Sequence, residues 1–127
     1  MSSFVKYLGK EFEYGAMGPD KYDCYNLCRQ LYKDADGSEL PVFDSPSEPS
    51  IINEIVLKGK ELFNILSKPE YPCLILFTIK YPYVSHVGFM LPDNRSFMHI
   101  MRKSRVTIEK LDHVLWRNRI RGYVKYK

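Results

Sequence analysis

Between Lys68 and Cys73 the hydrophobic pattern changes its period, and that change limits the fold more than any other feature of the sequence. Upstream, Tyr25, Leu27, Cys28, Leu31 and Tyr32 recur at helical spacing within Tyr22 to Lys33, and Asp23 is placed as their N-cap. The pattern predicts a helix beginning at or just before Cys24. The stretch from Asp34 to Pro49, broken at Gly37, Pro41, Pro46 and Pro49, reads as a surface loop. Ser50 or Ile51 then opens a second predicted helix through about Leu66, with Ile52, Ile55, Val56, Leu62, Phe63 and Leu66 as its apolar stripe and Pro69 and Pro72 closing it. Downstream the runs are those of strands: Cys73 to Lys80, Ser85 to Leu91, Ser96 to Lys103 and Ile120 to Tyr126, with a short helix expected at Ile108 to Leu115. Helices first and an antiparallel sheet second predict an α+β domain.

A chain of 127 residues fits one compact domain spanning 1–127, and 45% apolar with 27% charged residues is the composition of a folded globular protein. Neither an export signal nor a membrane-spanning run is expected. Three cysteines without a secretory signal point to free thiols. The net charge of +4 is mild, but Arg117, Arg119, Arg121, Lys125 and Lys127 cluster without an acidic neighbour. Such a patch attracts polyanions; the simpler expectation is a solvated edge strand whose charges discourage aggregation.

Cys24 sits where chemistry is favoured. Helix N-termini present N–H groups and a positive dipole end, which stabilise a thiolate relative to its free pKa of about 8.5 and can also stabilise an oxyanion. Cys28, one turn inside, and Cys73, opening the most apolar strand, read as buried packing residues. No C-x2-C knuckle is present, so neither metal nor any other cofactor is expected.

A thiol nucleophile needs a base, and only His86, His99 and His113 are available. Val84 to Lys103 reads as two strands joined by a turn at Pro92 to Arg95. With an even-numbered loop, His86 and His99 fall on one face as opposite or diagonal neighbours. His86 then takes the Cys24 proton while His99 fixes its tautomer, and Gly88 removes bulk beside them. His113 receives no role.

These residues resemble the NlpC-type cell-wall peptidases, a papain-like cysteine peptidase family. Phe12-Glu13-Tyr14-Gly15-Ala16 followed by Asp23-Cys24-Tyr25-Asn26-Leu27-Cys28 is similar to the family's aromatic-small-small segment leading into D-C-S-G-L-V, and His86-Val87-Gly88-Phe89-Met90-Leu91 with His99 resembles H-V-G-I-Y-L and the downstream histidine. The resemblance runs from Phe12 to Tyr123. It implies a papain-like fold, with N-terminal helices packed on a C-terminal antiparallel sheet. It also implies Cys24 as nucleophile, His86 as base, His99 as its orienter, and substrate contacts from Phe12, Tyr14, Asp23, Tyr25 and Gly88. The implied substrate is the stem peptide of peptidoglycan. Phe12 stands where many members carry a tyrosine, and Tyr25-Asn26 replaces the common serine and glycine. The segment is most similar to the short domains of tailed-phage tails, which implies synthesis in a host cytoplasm, residence in the virion, and other tail proteins as partners.

The competing expectation is a catalytically weak or inactive assembly protein of a phage tail that keeps the fold, for which Cys24 is covered. A nucleic-acid module is disfavoured, because only the basic C-terminal segment and scattered tyrosines speak for one. Acyltransferase or amidase chemistry on the same scaffold stays open, since fold does not fix substrate.

Overall fold

The backbone of Asp23 is extended, with φ −97° and ψ 178°, and its side chain accepts from Asn26 N, so helix α2 (Cys24–Asp36) starts directly at Cys24. The computed structural model describes residues 2–42, 59–79 and 84–127. Gly37 ends α2 at φ 82°, its N–H returning to Lys33 O, a left-handed stop that glycine adopts without strain. The helix thus runs through Asp36, one turn beyond the expected boundary, and the loop begins at Gly37. Of that loop, 43–49 lie outside the described residues, as do 50–58 of the second expected helix.

Before α2 come a short helix α1 (Ser2–Val5) and two brief strands, β1 (Glu11–Phe12) and β2 (Lys21–Tyr22), paired in parallel. After it come α3 (Gly59–Leu62) and the strands β3 (Phe63–Leu66), β4 (Leu74–Phe77), β5 (His86–Met90), β6 (Ser96–His99), β7 (Thr107–Lys110) and β8 (Ile120–Tyr126). The last six form one antiparallel sheet in the order β3-β8-β4-β5-β6-β7.

Two sequence expectations are corrected. Phe63–Leu66, read as the end of a helix, is a strand registered against Tyr123–Tyr126; Phe63 is buried and Ile65 exposed. Residues 108–110, read as the start of a short helix, belong to the edge strand β7, and turns follow through residue 119. In both places a short segment with mixed apolar spacing takes the conformation its neighbouring strand supplies, because tertiary pairing outweighs weak local preference.

The sheet is covered on both faces. On one, Leu27, Leu31 and Tyr32 of α2 pack against Leu74, Val87, Phe89 and Met98. On the other, Ile75, Phe77, Met90 and Phe97 pack beneath Trp116, which the turns after β7 deliver. β4 and β5 are buried at every position, which is why Leu-Ile-Leu-Phe reads as an unbroken apolar run rather than an alternation. The basic segment is also corrected: β8 lies between β3 and β4 and is not an edge. Its cations serve carbonyls, with Lys125 Nζ donating to Pro72 O and the guanidinium of Arg119, just before the strand, to Leu115 O and Ile79 O.

Tyr32 fixes the direction of α2 across the sheet. Its ring meets Phe89 at 5.6 Å, while its hydroxyl donates to Pro72 O and accepts from Tyr126 N, each at 3.0 Å. Pro72 and Tyr126 mark the end of the sheet at which β5 finishes, since Leu74 pairs with both Phe89 and Val124. Cys24 lies about 12 Å back along the helix. His86 lies about 10 Å back along β5 from Phe89.

Candidate active site

The helix start is built around a buried carboxylate. Asp23 Oδ1 accepts from Asn26 N at 2.8 Å, and Oδ2 accepts from Gly15 N at 2.9 Å and Asn26 Nδ2 at 3.2 Å. Burial raises its pKa, against the lowering by these donors and by Arg29. Asp23 thus clamps the 11–17 segment to the first turn of α2 and sets where Cys24 begins. Cys24 is only 1% exposed and packs in the cluster on the helix side of the sheet.

The two histidines lie on the sheet's other face. β5 and β6 pair as Phe89 with Met98 and Met90 with Phe97, which makes His86 and His99 diagonal neighbours. His86 Nε2 and His99 Nδ1 are 2.8 Å apart. Both rings are almost fully covered, and they pack against Phe77, Phe97 and Trp116; the ring centroids of His99 and Trp116 are 4.8 Å apart at 90°. Burial lowers His86 to about 3, with a further push from His99, and burial lowers His99 to about 4. Both are neutral near pH 7. Because Nε2 of His86 is committed to His99, Nδ1 is its remaining ring nitrogen.

Residues 9–125 match the model of the NlpC/P60 family. The chain belongs to the NlpC/P60 family. NlpC/P60 proteins are typically cell-wall peptidases. The solved structures it resembles include an NlpC/P60 family protein from Bacillus cereus, with 19% identity, TM-score 0.68 and 94% of this chain covered. They also include a protein from Staphylococcus aureus described as similar to lipoprotein of the NLP/P60 family, with 22% identity, TM-score 0.65 and 98% covered. NlpC2 from Trichomonas vaginalis is a third, at 17% identity, TM-score 0.65 and 98% covered. This chain spans 36%, 39% and 44% of those three chains, respectively. No curated protein matches it.

Within this NlpC/P60 fold the remaining nominated residues sit at different depths. Phe12 is half-buried in β1, and Tyr14 is exposed beside it. Tyr25 is turned inward at 1% exposure, its hydroxyl donating to Pro41 O at 2.7 Å, so it anchors the segment after α2. A Cβ on Gly88 would stand 3.2 Å from both Phe77 and Phe97 and 3.5 Å from that of His99, so glycine allows the aromatic layer to close beside the histidines. Burial pushes the thiols of Cys28 and Cys73 up, in keeping with packing residues. His113 is exposed and accepts from Leu115 N. Among the described residues, no group of His, Cys, Asp or Glu is arranged to hold a metal ion, and no helix is long and apolar enough to cross a membrane.

Two residues near the imidazoles escaped sequence reasoning. Trp116 roofs both rings. Glu109 Oε2 stands 3.8 Å from His99 Nε2. The alternation Thr107-Ile108-Glu109-Lys110 held the signal for Glu109: read as a strand beside β6, it puts Glu109 on the His99 face.

Proposed function

We propose that this protein is an endopeptidase of peptidoglycan stem peptides, borne on or used with a phage tail, with Cys24 as nucleophile, His86 as base and His99 as its orienter. The observation that carries the reading is the His86–His99 contact of 2.8 Å, taken with a cysteine at the capped start of α2. In the reaction, Cys24 Sγ–H gives its proton to His86 Nδ1 as sulfur bonds to the amide carbon. The C–N bond then breaks, and His86 returns the proton to the leaving amine. Water, deprotonated by His86, hydrolyses the thioester. Burial keeps the His86 imidazole unprotonated before attack and also lowers its basicity, so the reading requires that substrate binding raise its proton affinity.

Digestion of purified peptidoglycan tests this, with released muropeptides read by mass spectrometry. Release by the wild type and by neither Cys24→Ala nor His86→Ala supports the assignment; equal release by the variants overturns it.

The near-complete burial of Cys24 supports a second reading, an assembly protein of a phage tail that retains the fold without turnover. It predicts no muropeptide release and a Cys24 that resists iodoacetamide in the folded protein. Rapid alkylation of Cys24 under native conditions counts against it.

A further inference from the structure

A hydrogen bond between two neutral imidazoles can run either way, and only one direction leaves His86 able to act as a base. If His86 Nε2 donates to His99 Nδ1, His86 Nδ1 carries a lone pair and can take a proton. If His99 Nδ1 donates, His86 carries its proton on Nδ1 and cannot. The 2.8 Å contact fits both directions equally, so the selector lies beyond the pair.

We propose that Glu109 is that selector: a positioning residue whose carboxylate draws the His99 proton to Nε2 and thereby fixes the order Glu109, His99 Nε2–H, His99 Nδ1, His86 Nε2–H, His86 Nδ1. The consequence for catalysis rests on the reading of His86 as base; the proton order itself does not.

Three observations support the assignment. His99 is 1% exposed, and its Nε2 is buried without a hydrogen-bond partner among the described residues. Glu109 Oε2 faces that nitrogen at 3.8 Å, too long for a hydrogen bond and within reach of a small side-chain rotation. The Glu109 side chain is 29% exposed and so has room for such a rotation. The pleat also holds it on the correct side, because Phe97 pairs with Glu109 and His99 lies diagonally from it on the same face.

An ionised carboxylate only accepts hydrogen bonds. With the proton on Nε2, His99 offers it a donor; with the proton on Nδ1, a lone pair faces an anion at the edge of a covered site, where repulsion is poorly screened. Trp116, set edge-on to His99, limits the water that would blunt this preference.

The test is a histidine-tautomer measurement on the full chain at neutral pH. Spectra of ¹⁵N-histidine-labelled protein identify which ring nitrogen of each histidine carries the proton. The expected result is Nε2–H on both His99 and His86. Glu109→Gln, whose amide oxygen still accepts, keeps this order, whereas Glu109→Leu converts His99 to a mixture or to Nδ1–H. Nδ1–H on His99 in the wild type, or an unchanged tautomer in Glu109→Leu, overturns the proposal. The wild-type spectrum decides even if Glu109→Leu fails to fold. With turnover present, Glu109→Leu lowers kcat roughly ten- to a hundredfold at unchanged KM, and Glu109→Gln recovers most of it. Absent turnover with the expected tautomers rejects the peptidase and supports the proton order, so the two failures are separable.

Discussion

Asp23→Asn separates the geometry of this helix start from general capping rules. On capping preference alone, Asp and Asn are nearly equal, so the substitution should cost close to nothing. Here both carboxylate oxygens accept from backbone N–H groups, of Asn26 and Gly15. An Asn side chain has one acceptor oxygen. If it caps Asn26 N, its NH₂ group confronts the Gly15 N–H, two donors in a site where Asp23 is 0% exposed. Leaving such a donor unsatisfied costs about 1–3 kcal/mol. Asp23→Ala loses both acceptors and the cap, for about 2–4 kcal/mol. Part of the Asn cost is offset by relief of the buried charge, whose burden shows in the raised pKa of Asp23. The expected order is therefore wild type, then Asp23→Asn about 1–2 kcal/mol lower, then Asp23→Ala lower again. Urea unfolding followed by far-ultraviolet circular dichroism measures it, with the slope checked for constancy. An Asp23→Asn protein within about 0.5 kcal/mol of wild type, the level of a neutral surface change, would refute the second acceptor's role.

Acid should weaken the fold before the carboxylates titrate. Both folded imidazoles sit below their ordinary value of 6.5, His99 at about 4 and His86 at about 3, so the unfolded chain binds more protons over that interval. Stability is full above pH 6.5 and falls by about 1.4 kcal/mol per histidine for each unit below it, until the folded values are reached. Denaturant midpoints that stay flat between pH 7 and pH 5 contradict the lowered values. Tyr32→Phe leaves Tyr126 N–H without its acceptor and removes a donor from Pro72 O, costing about 1–3 kcal/mol in thermal or chemical unfolding; a neutral result would break the link between α2 and the C-terminal strand. Trp116→Ala opens the roof over the imidazoles, destabilising by about 3–5 kcal/mol and moving both histidine pKa values back toward 6.5. Unchanged histidine titration by NMR in that variant would remove Trp116 from the argument.

What the sequence disclosed follows how local each determinant is. The cap at Asp23, the helix after it and the shared face of His86 and His99 depend on neighbours within a turn or one hairpin, and all three stand in the structure. Of the positions misread, Phe63–Leu66 takes its conformation from β8, far along the chain, and residues 108–110 are a sheet margin whose mixed spacing concealed their pairing with β6. Misreading the second hid Glu109, because a residue placed on a helix has no defined face toward His99. The basic cluster misled for a related reason: its composition suits an exposed edge, yet β3 covers β8 on one side and β4 on the other. Trp116 lay outside any periodic segment, and no spacing argument reaches a residue delivered by consecutive turns.

The place of β8 in the sheet has a consequence for the order of assembly. β3 and β4 are not bonded to each other; the strand between them is made after every other strand of the sheet. Tyr32, near the far end of the Cys24 helix, finds its backbone donor on that same strand. During synthesis the helix and the β4-β5-β6-β7 meander can form early, from contacts close in sequence. The clasp that holds the helix at its angle must wait for the ribosome to release residues 120–126. A nascent chain therefore carries its cysteine helix long before that helix is locked in place by β8.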